Sequence, residues 1–282
     1  MDSLPMTPLF VVGTGRSGTT VVADTIARSP AVLKLDRGEP KLFSDMNGFA
    51  GVSAALYSSR YTQRFLRSRT DFFHKRDEGS QDVGFFQYID KETFETLLTE
   101  FWVSLDRDDL STGEVQTRIR QLYATLFSEL AIDEGARYFL DDTPINALRI
   151  KEIVDTFPEA RILHVIRDGR HVAHGHLRLG WCASYHEGLH LWRSRIDAAR
   201  HVVRNCGISD ERYREIGFER LLASPGAMFG SVFDWIGLDF DESYLDEAQF
   251  SGDKVSSYAV TPYEDALFRA LAADLVAEFD WV

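Results

Sequence analysis

The sequence predicts an α/β fold, in which a parallel sheet of the phosphate-binding-loop type is flanked by helices and carries a helical insertion. Three observations support this. An apolar segment runs into a glycine-rich turn near the amino end, further short apolar segments recur along the chain, and segments with helical periodicity separate them. Strands that alternate with helices favour right-handed crossovers, a parallel sheet and ligands bound at the carboxyl ends of its strands.

The first element is the segment from Leu9 to Thr20, which reads LFVVGTGRSGTT. A strand over Leu9–Gly13 leads into a glycine-rich turn, and a helix is predicted over Thr19–Ala27. Such a turn aims backbone N–H groups and a helix N-terminus at one point, which suits a phosphate. The spacing of the glycines fits a nucleotide-binding loop, but Thr19 stands where a nucleotide triphosphatase needs its lysine. The cation of this loop is instead Arg16.

The remaining elements follow the same logic of short apolar runs and helical periodicity. Four further strands are predicted at Val32–Asp36, Tyr138–Asp142, Ala160–Arg167 and Tyr213–Phe218. Amphipathic helices are predicted from Val115 to Leu130, from Leu189 to Val203 and over Tyr263–Phe279. The stretch 47–135 is rich in helical patterns and poor in strand patterns, so we expect one domain over 1–282 with a helical insertion between the second and third strands.

The composition excludes several classes of protein. The net charge of −13 argues against nucleic-acid or anionic-membrane partners, which require a basic surface. No apolar run approaches the roughly 20 residues of a membrane span, and the N-terminal residues MDSLPMTP lack a basic leader, so we expect a cytoplasmic protein. The stretch Tyr57–Arg76 is basic; it is interpreted as a solvated face, or else as a surface that lines the acceptor entrance or helps to hold an anionic donor.

A second phosphate-handling element is predicted at mid-chain. The strand that contains Ile162–Ile166 ends in the turn Arg167-Asp168-Gly169-Arg170, which begins the next helix. Arg167 should therefore emerge at the same sheet edge as Arg16. A guanidinium group pairs with two phosphate oxygens at once, which suits this position. The alternative for Arg167 is a structural ion pair or a helix cap.

The R-S-G-T-T loop and the R-D-G-R turn together resemble those of sulfotransferases that use 3′-phosphoadenosine 5′-phosphosulfate (PAPS). The chain is most similar to the tyrosylprotein and bacterial branch of that family, and the resemblance is collinear from Leu9 to about Leu238. It implies PAPS as the sulfuryl donor, a hydroxyl-bearing acceptor and no metal. The acceptor stays open among a small molecule, a sugar and a peptide tyrosine.

The resemblance also implies roles for individual residues. The implied donor-binding residues are Gly15, Arg16, Ser17, Gly18, Thr19, Thr20, Arg167 and Gly175. Arg16 would also be catalytic, because it can neutralise the charge that builds on the leaving oxygen. Glu39 stands in the Gly-Glu context of the general base and would accept the proton of the acceptor hydroxyl; alternatively, it pairs with Lys41.

Histidine is the competing candidate for the base. Five histidines fall within twenty residues, at His171, His174, His176, His186 and His190. Pairs at helical spacing can share a face, but no H-E-x-x-H motif or cysteine pair accompanies them. They are therefore interpreted as surface or supporting histidines rather than as a zinc site.

Three positions depart from the family pattern. Gly175 stands where the family usually has a serine that donates to the 3′-phosphate, Phe218 replaces a tyrosine, and Asp142 replaces a lysine. Either other residues compensate, for which the basic stretch is a candidate, or the donor binds weakly or differs from PAPS. The leading hypothesis is a PAPS-dependent sulfotransferase. The alternatives are a non-catalytic protein that binds PAPS or its product and, less favoured, an atypical P-loop kinase.

Overall fold

The computed structural model describes residues 4–35, 39–44, 48–56, 88–105, 110–129, 135–246, 250 and 258–281. The described residues fall into two compact units. The first is drawn from Met1–Phe10 and Pro30–Ala160, and the second from Val11–Ser29 and Arg161–Val282. The prediction of one domain over 1–282 stays a prediction.

The strands within the described ranges form a single five-stranded sheet. They are β1 (Thr7–Gly13), β2 (Val32–Lys34), β3 (Tyr138–Asp141), β4 (Arg161–Ile166) and β5 (Tyr213–Gly217), in the spatial order β2-β3-β1-β4-β5. The recorded registers are parallel, with Thr7 opposite Tyr138, Val32 opposite Tyr138 and Ile162 opposite Tyr213. All five predicted strands are therefore confirmed, with ends that shift by one or two residues.

The helices of the first unit pack against an aromatic core. They are α2 (Phe49–Leu56), α3 (Lys91–Leu105), α4 (Thr112–Glu129) and α5 (Ile150–Thr156). Phe43 sits at the centre of the core, where its ring meets the edges of Phe10, Phe49 and Phe157 at centroid distances of 5.5–5.9 Å. Edge-to-face contacts of this kind are favourable for aromatic rings. Between β2 and β3 the described residues contain helices and no strand, whereas the basic stretch 57–76 lies outside the described residues.

The helices of the second unit surround β4 and β5. They are α1 (Thr19–Ile26), α6 (Gly169–Arg178), α7 (Tyr185–Asn205), α8 (Phe218–Ala223), α9 (Pro225–Ile236) and α10 (Pro262–Phe279). Trp192 of α7 is fully buried against Phe268 of α10 and against Trp281. The last helix begins at Thr261 with a capping box that includes Glu264, which fixes its start chemically.

The helical predictions agree with these elements. The segments predicted from Val115, from Leu189 and from Tyr263 are α4, α7 and α10. None of the helices in the described ranges combines the length and the apolar character that crossing a membrane requires.

Candidate active site

The glycine-rich loop connects β1 to α1 within the second unit. Its backbone takes two left-handed conformations, at Arg16 with φ 75° and at Gly18 with φ 90°. The hydroxyl and the amide of Ser17 both donate to the carbonyl of Thr14, which closes the turn. Gly18 caps α1 without a side-chain hydrogen bond. No side-chain cap therefore occupies the first amides of α1, and amides at such a position can bind an anion.

The conformation of Arg16 is unusual because a non-glycine side chain in the left-handed region is strained. Such strain, of order 1–3 kcal/mol, is commonly found at functional sites. The exposed side chain of Arg16 lies against Gly175 of α6, since a Cβ atom at Gly175 would stand 3.1 Å from Cγ and 3.2 Å from Cβ of Arg16. The structure therefore brings two predicted donor-binding residues into contact, and the absence of a side chain at 175 leaves room for Arg16.

Two glycines of the loop are required by close aromatic neighbours. A Cβ atom at Gly18 would overlap the ring of Phe218, and one at Gly15 would lie 2.8 Å from the ring of Trp181. The carbonyl of Gly15 also receives a contact of 2.8 Å from Nε2 of His176, which is buried. Burial lowers the pKa of His176, and the hydrogen bond to Gly15 opposes this. His176 is thus a support of the loop.

Arg167 emerges at the end of β4 with 7% of its surface exposed. Its Nη1 donates to the carbonyl of Arg16 over 3.1 Å, and its guanidinium lies 5.0 Å above the ring of Phe218. Nε and Nη2 are buried and have no hydrogen-bond partner among the described residues. Burial lowers the pKa of Arg167, Glu219 raises it, and Arg16 lowers it further. A buried cation with free donors beside a second cation is a site that an anion would stabilise.

The turn that carries Arg167 is held by its backbone. Nε1 of Trp192 donates to the carbonyl of Arg167 over 3.0 Å. The carboxylate of Glu219 accepts from the amide of Asp168 over 3.0 Å and from Nε1 of Trp281 over 2.9 Å. Burial raises the pKa of Glu219, with hydrogen bonds from these donors opposing it. The position of the arginine is therefore fixed by contacts that leave two of its side-chain donors unused.

Arg170, the second arginine of the turn, has a structural role. It pairs with Asp168 over 2.7 Å and with Asp265 over 2.6 Å. Asp168 also caps α6 by accepting from the amide of Arg170 over 2.8 Å. The sequence analysis kept a structural ion pair or a helix cap as the alternative for Arg167. In the structure Arg170 makes the ion pairs and Asp168 is the helix cap.

Glu39, the predicted base, belongs to the first unit. Its carboxylate lies 3.9 Å from Nζ of Lys41, and 42% of the side chain is exposed. The amide of Lys41 donates to the hydroxyl of Thr143 over 3.0 Å, which ties the segment that contains Glu39 to the turn after β3. Glu39 therefore has the lysine contact that the sequence analysis kept as an alternative, and its role as a base stays a prediction.

A buried acidic pair lies in that same turn after β3. Asp142 pairs with Lys34 over 3.5 Å, so the aspartate that replaces the family's lysine is neutralised locally. Asp141 is fully buried; burial raises its pKa to about 7, although the hydroxyl and amide of Thr143 donate to it. The Oδ2 atom of Asp141 has no hydrogen-bond partner among the described residues.

Some of these contacts had no signal in the sequence. Trp181, with 55% of its surface exposed, lies over Gly15, and the ring of Tyr258 stacks on His174 at 5.1 Å. Neither aromatic residue belongs to a motif, and only packing reveals them. No group of three His, Cys, Asp or Glu side chains that can hold a metal occurs within the described ranges.

Comparison with known proteins was made at the level of sequence and of fold. The model of a family described as the sulfotransferase family matches residues 8–242. None of the curated protein sequences is a significant match to this chain. The chain therefore matches a family pattern without a near relative among those sequences.

Three solved structures have a similar fold. The sulfotransferase domain of the curacin biosynthetic pathway has a TM-score of 0.58 and 15% identity, over 97% of this chain and 98% of that one. The sulfotransferase domain of the Synechococcus PCC 7002 olefin synthase has a TM-score of 0.52 and 18% identity, over 96% and 89%. A sulfotransferase from Mycobacterium avium has a TM-score of 0.52 and 17% identity, over 99% and 78%.

Proposed function

The chain belongs to the sulfotransferase family, and on that basis we propose that it transfers a sulfuryl group from PAPS to the hydroxyl group of an acceptor. The observation that carries the choice of donor is the buried guanidinium of Arg167, whose Nε and Nη2 atoms have no hydrogen-bond partner among the described residues and which lies beside the strained loop of Arg16. A donor with phosphate groups at both ends of an adenosine matches two separate anion-binding elements.

The loop would hold the 5′ end of the donor. The amides at the start of α1, together with the hydroxyl of Thr20, would donate to the phosphate that carries the sulfuryl group. The donors of Ser17, a predicted donor-binding residue, are both used on the carbonyl of Thr14, so Ser17 would shape the loop around that phosphate. The donor, when bound, supplies the activated sulfuryl group. Arg16 neutralises the charge that develops on the oxygen that the sulfur leaves, so no metal is needed for this purpose.

The acceptor oxygen attacks sulfur in line while the bond from sulfur to the bridging phosphate oxygen breaks, which releases adenosine 3′,5′-bisphosphate (PAP). The proton of the acceptor hydroxyl passes to a carboxylate, and we assign this role to Glu39 from its place in the family pattern. Because 42% of the side chain of Glu39 is exposed, an acceptor can reach it. Nothing in the described residues selects among phenolic, sugar and peptide acceptors, and the cytoplasmic location stays a prediction.

The test has two parts. Calorimetry should give measurable binding of PAP and none of ATP, because Thr19 replaces the lysine that a triphosphate needs. Transfer of labelled sulfate from PAPS to an acceptor panel should fall by about 10²–10⁴-fold in Glu39→Gln if this residue is the base. A similar loss is expected in Arg16→Ala from removal of transition-state charge stabilisation.

The exposed residues Glu211 and Arg204 provide matched controls, and Glu211→Gln and Arg204→Ala should retain full turnover. Tight binding of PAP without transfer to any acceptor would favour the non-catalytic alternative. Full turnover in Glu39→Gln would exclude Glu39 as the base.

A further inference from the structure

Two hydroxyl groups of the family pattern are absent from this chain, and one of them, the serine hydroxyl, donates to the 3′-phosphate in that pattern. Gly175 stands in the place of the serine, and its missing side chain leaves room for Arg16. Phe218 stands in the place of the tyrosine, and its ring fills the space beside Gly18 and beneath Arg167. Both positions are therefore committed to packing, and the lost donors must be sought elsewhere.

The free donors of Arg167 mark where a 3′-phosphate would bind. His171 lies four residues further along, in the first turn of α6, and thus on the side of the helix that Gly175 also shares. The Nδ1 atom of His171 is buried and has no hydrogen-bond partner among the described residues. Burial lowers the pKa of His171, Asp168 raises it, and Arg167, Arg170 and His174 lower it.

Tyr258 approaches the same place from outside the helix. Its ring stacks on His174 at a centroid distance of 5.1 Å and an angle of 20°, and the ring of Tyr185 lies 4.9 Å from that of His174. His174 also lies 3.5 Å from the carboxylate of Glu264. The stacking on His174, one turn beyond His171, places Tyr258 beside the face of α6 that carries both histidines.

We propose that His171 and the hydroxyl of Tyr258 bind the 3′-phosphate of the donor together with Arg167, in place of the serine and tyrosine of the family pattern. This inference rests on the proposed function, because it requires a donor with a 3′-phosphate. A neutral imidazole has one N–H donor and a phenol has one O–H donor, so the pair supplies two hydrogen-bond donors where Gly175 and Phe218 supply none.

Other polar groups near the turn are already engaged. Arg170 is committed to Asp168 and Asp265, and His176 is committed to the carbonyl of Gly15. These two side chains are thus unavailable to a phosphate, whereas the buried Nδ1 atom of His171 has no hydrogen-bond partner among the described residues. The basic stretch 57–76, which the sequence offers for the same purpose, lies outside the described residues.

The experiment compares two nucleotides that differ only in the 3′-phosphate: PAP and adenosine 5′-monophosphate (AMP). Calorimetry on the wild-type protein gives the ratio of the two affinities. His171→Ala and Tyr258→Phe should each weaken PAP binding by roughly tenfold or more, because a hydrogen bond to a charged group is lost. Binding of AMP should stay within about twofold of wild type, because both variants keep the 5′ site intact.

The controls use residues of the same type on exposed surfaces. His190→Ala and Tyr263→Phe should leave both affinities unchanged. If His171→Ala does not fold, His171→Phe keeps a ring of similar size and removes the donor. Wild-type protein that binds PAP no more tightly than AMP would overturn the proposed function itself. Wild-type discrimination that survives in both variants, or an equal loss of PAP and AMP, would overturn this inference alone.

Discussion

Replacement of Asp141 by asparagine should change the pH dependence of stability. Asp141 is fully buried, and burial raises its pKa from 3.8 to about 7. The folded state thus holds a proton that the unfolded state releases near pH 4, so stability is complete at low pH and falls as the pH rises towards 7. The neutral amide introduced by Asp141→Asn would mimic the protonated carboxyl group at every pH.

The two pKa values fix the size of this effect. The penalty for Asp141 is about 2 kcal/mol at pH 5 and about 4 kcal/mol at pH 8, from the linkage relation at roughly 1.4 kcal/mol per pKa unit. Relative to Asp141→Asn, the wild-type protein should therefore lose roughly 2–3 kcal/mol of stability between these two pH values. The penalty stops growing above pH 8, because both states are then ionised.

Urea denaturation at a series of pH values, followed by tryptophan fluorescence, measures this difference directly. Asp239→Asn provides a control at an exposed aspartate and should leave the slope of stability against pH unchanged. Parallel stability curves for wild type and Asp141→Asn between pH 5 and 8 would refute the reasoning, because they would mean that Asp141 ionises equally in the folded and unfolded states.

Three further predictions concern the donor site. Gly18→Ala should lower the free energy of unfolding in urea by roughly 2–5 kcal/mol, because φ at this position is 90° and the new Cβ atom would overlap the Phe218 ring. The control Gly113→Ala should not destabilise, because a Cβ atom there meets nothing within 4 Å. Equal effects of the two changes would contradict this prediction. Trp192→Phe should lower the free energy of unfolding by about 1–3 kcal/mol, because the buried carbonyl of Arg167 loses its hydrogen-bond donor. The control Trp235→Phe removes a more exposed hydrogen bond of the same kind and should lower it less. A larger loss in Trp235→Phe than in Trp192→Phe would contradict this prediction. Gly175→Ser restores the family serine but should lower the sulfate transfer rate by roughly tenfold to a hundredfold, since Arg16 must move; an increase in rate would contradict this.

Much of the fold was predictable because its signals are local. Each strand of the sheet is a short apolar run between turn residues, and burial of β1 and β4 on both faces explains why these runs are continuous rather than alternating. The helices α4, α7 and α10 follow from a 3.6-residue spacing of apolar side chains. The strand ends are harder to predict, because hydrogen bonding to neighbouring strands sets them. The division into two compact units had no local signal.

The motifs of the candidate site were predictable from the sequence, whereas the contacts that support them were not. The loop around Arg16 and the turn at Arg167 depend on residues that are adjacent in the chain, so their chemistry can be read from a few letters. Three contacts support these motifs, and they join residues that are 51 to 159 positions apart in the chain. They are the contact of Arg16 with Gly175, the ring of Phe218 beneath Arg167, and the hydrogen bond from the amide of Asp168 to Glu219. No periodicity or motif encodes such contacts.

The order of residues therefore settles which groups can bind an anion: a glycine-rich turn before a helix, and an arginine at the end of a strand. Packing settles which of those groups are free to do so. Arg170 and Arg167 stand three residues apart in the same turn, yet ion pairs occupy Arg170 while Arg167 keeps two buried donors unpaired among the described residues. The reason is that two carboxylates from distant segments reach this turn only after the chain has folded. Asp265 binds the side chain of Arg170, whereas Glu219 binds the backbone beside Arg167 and not its side chain.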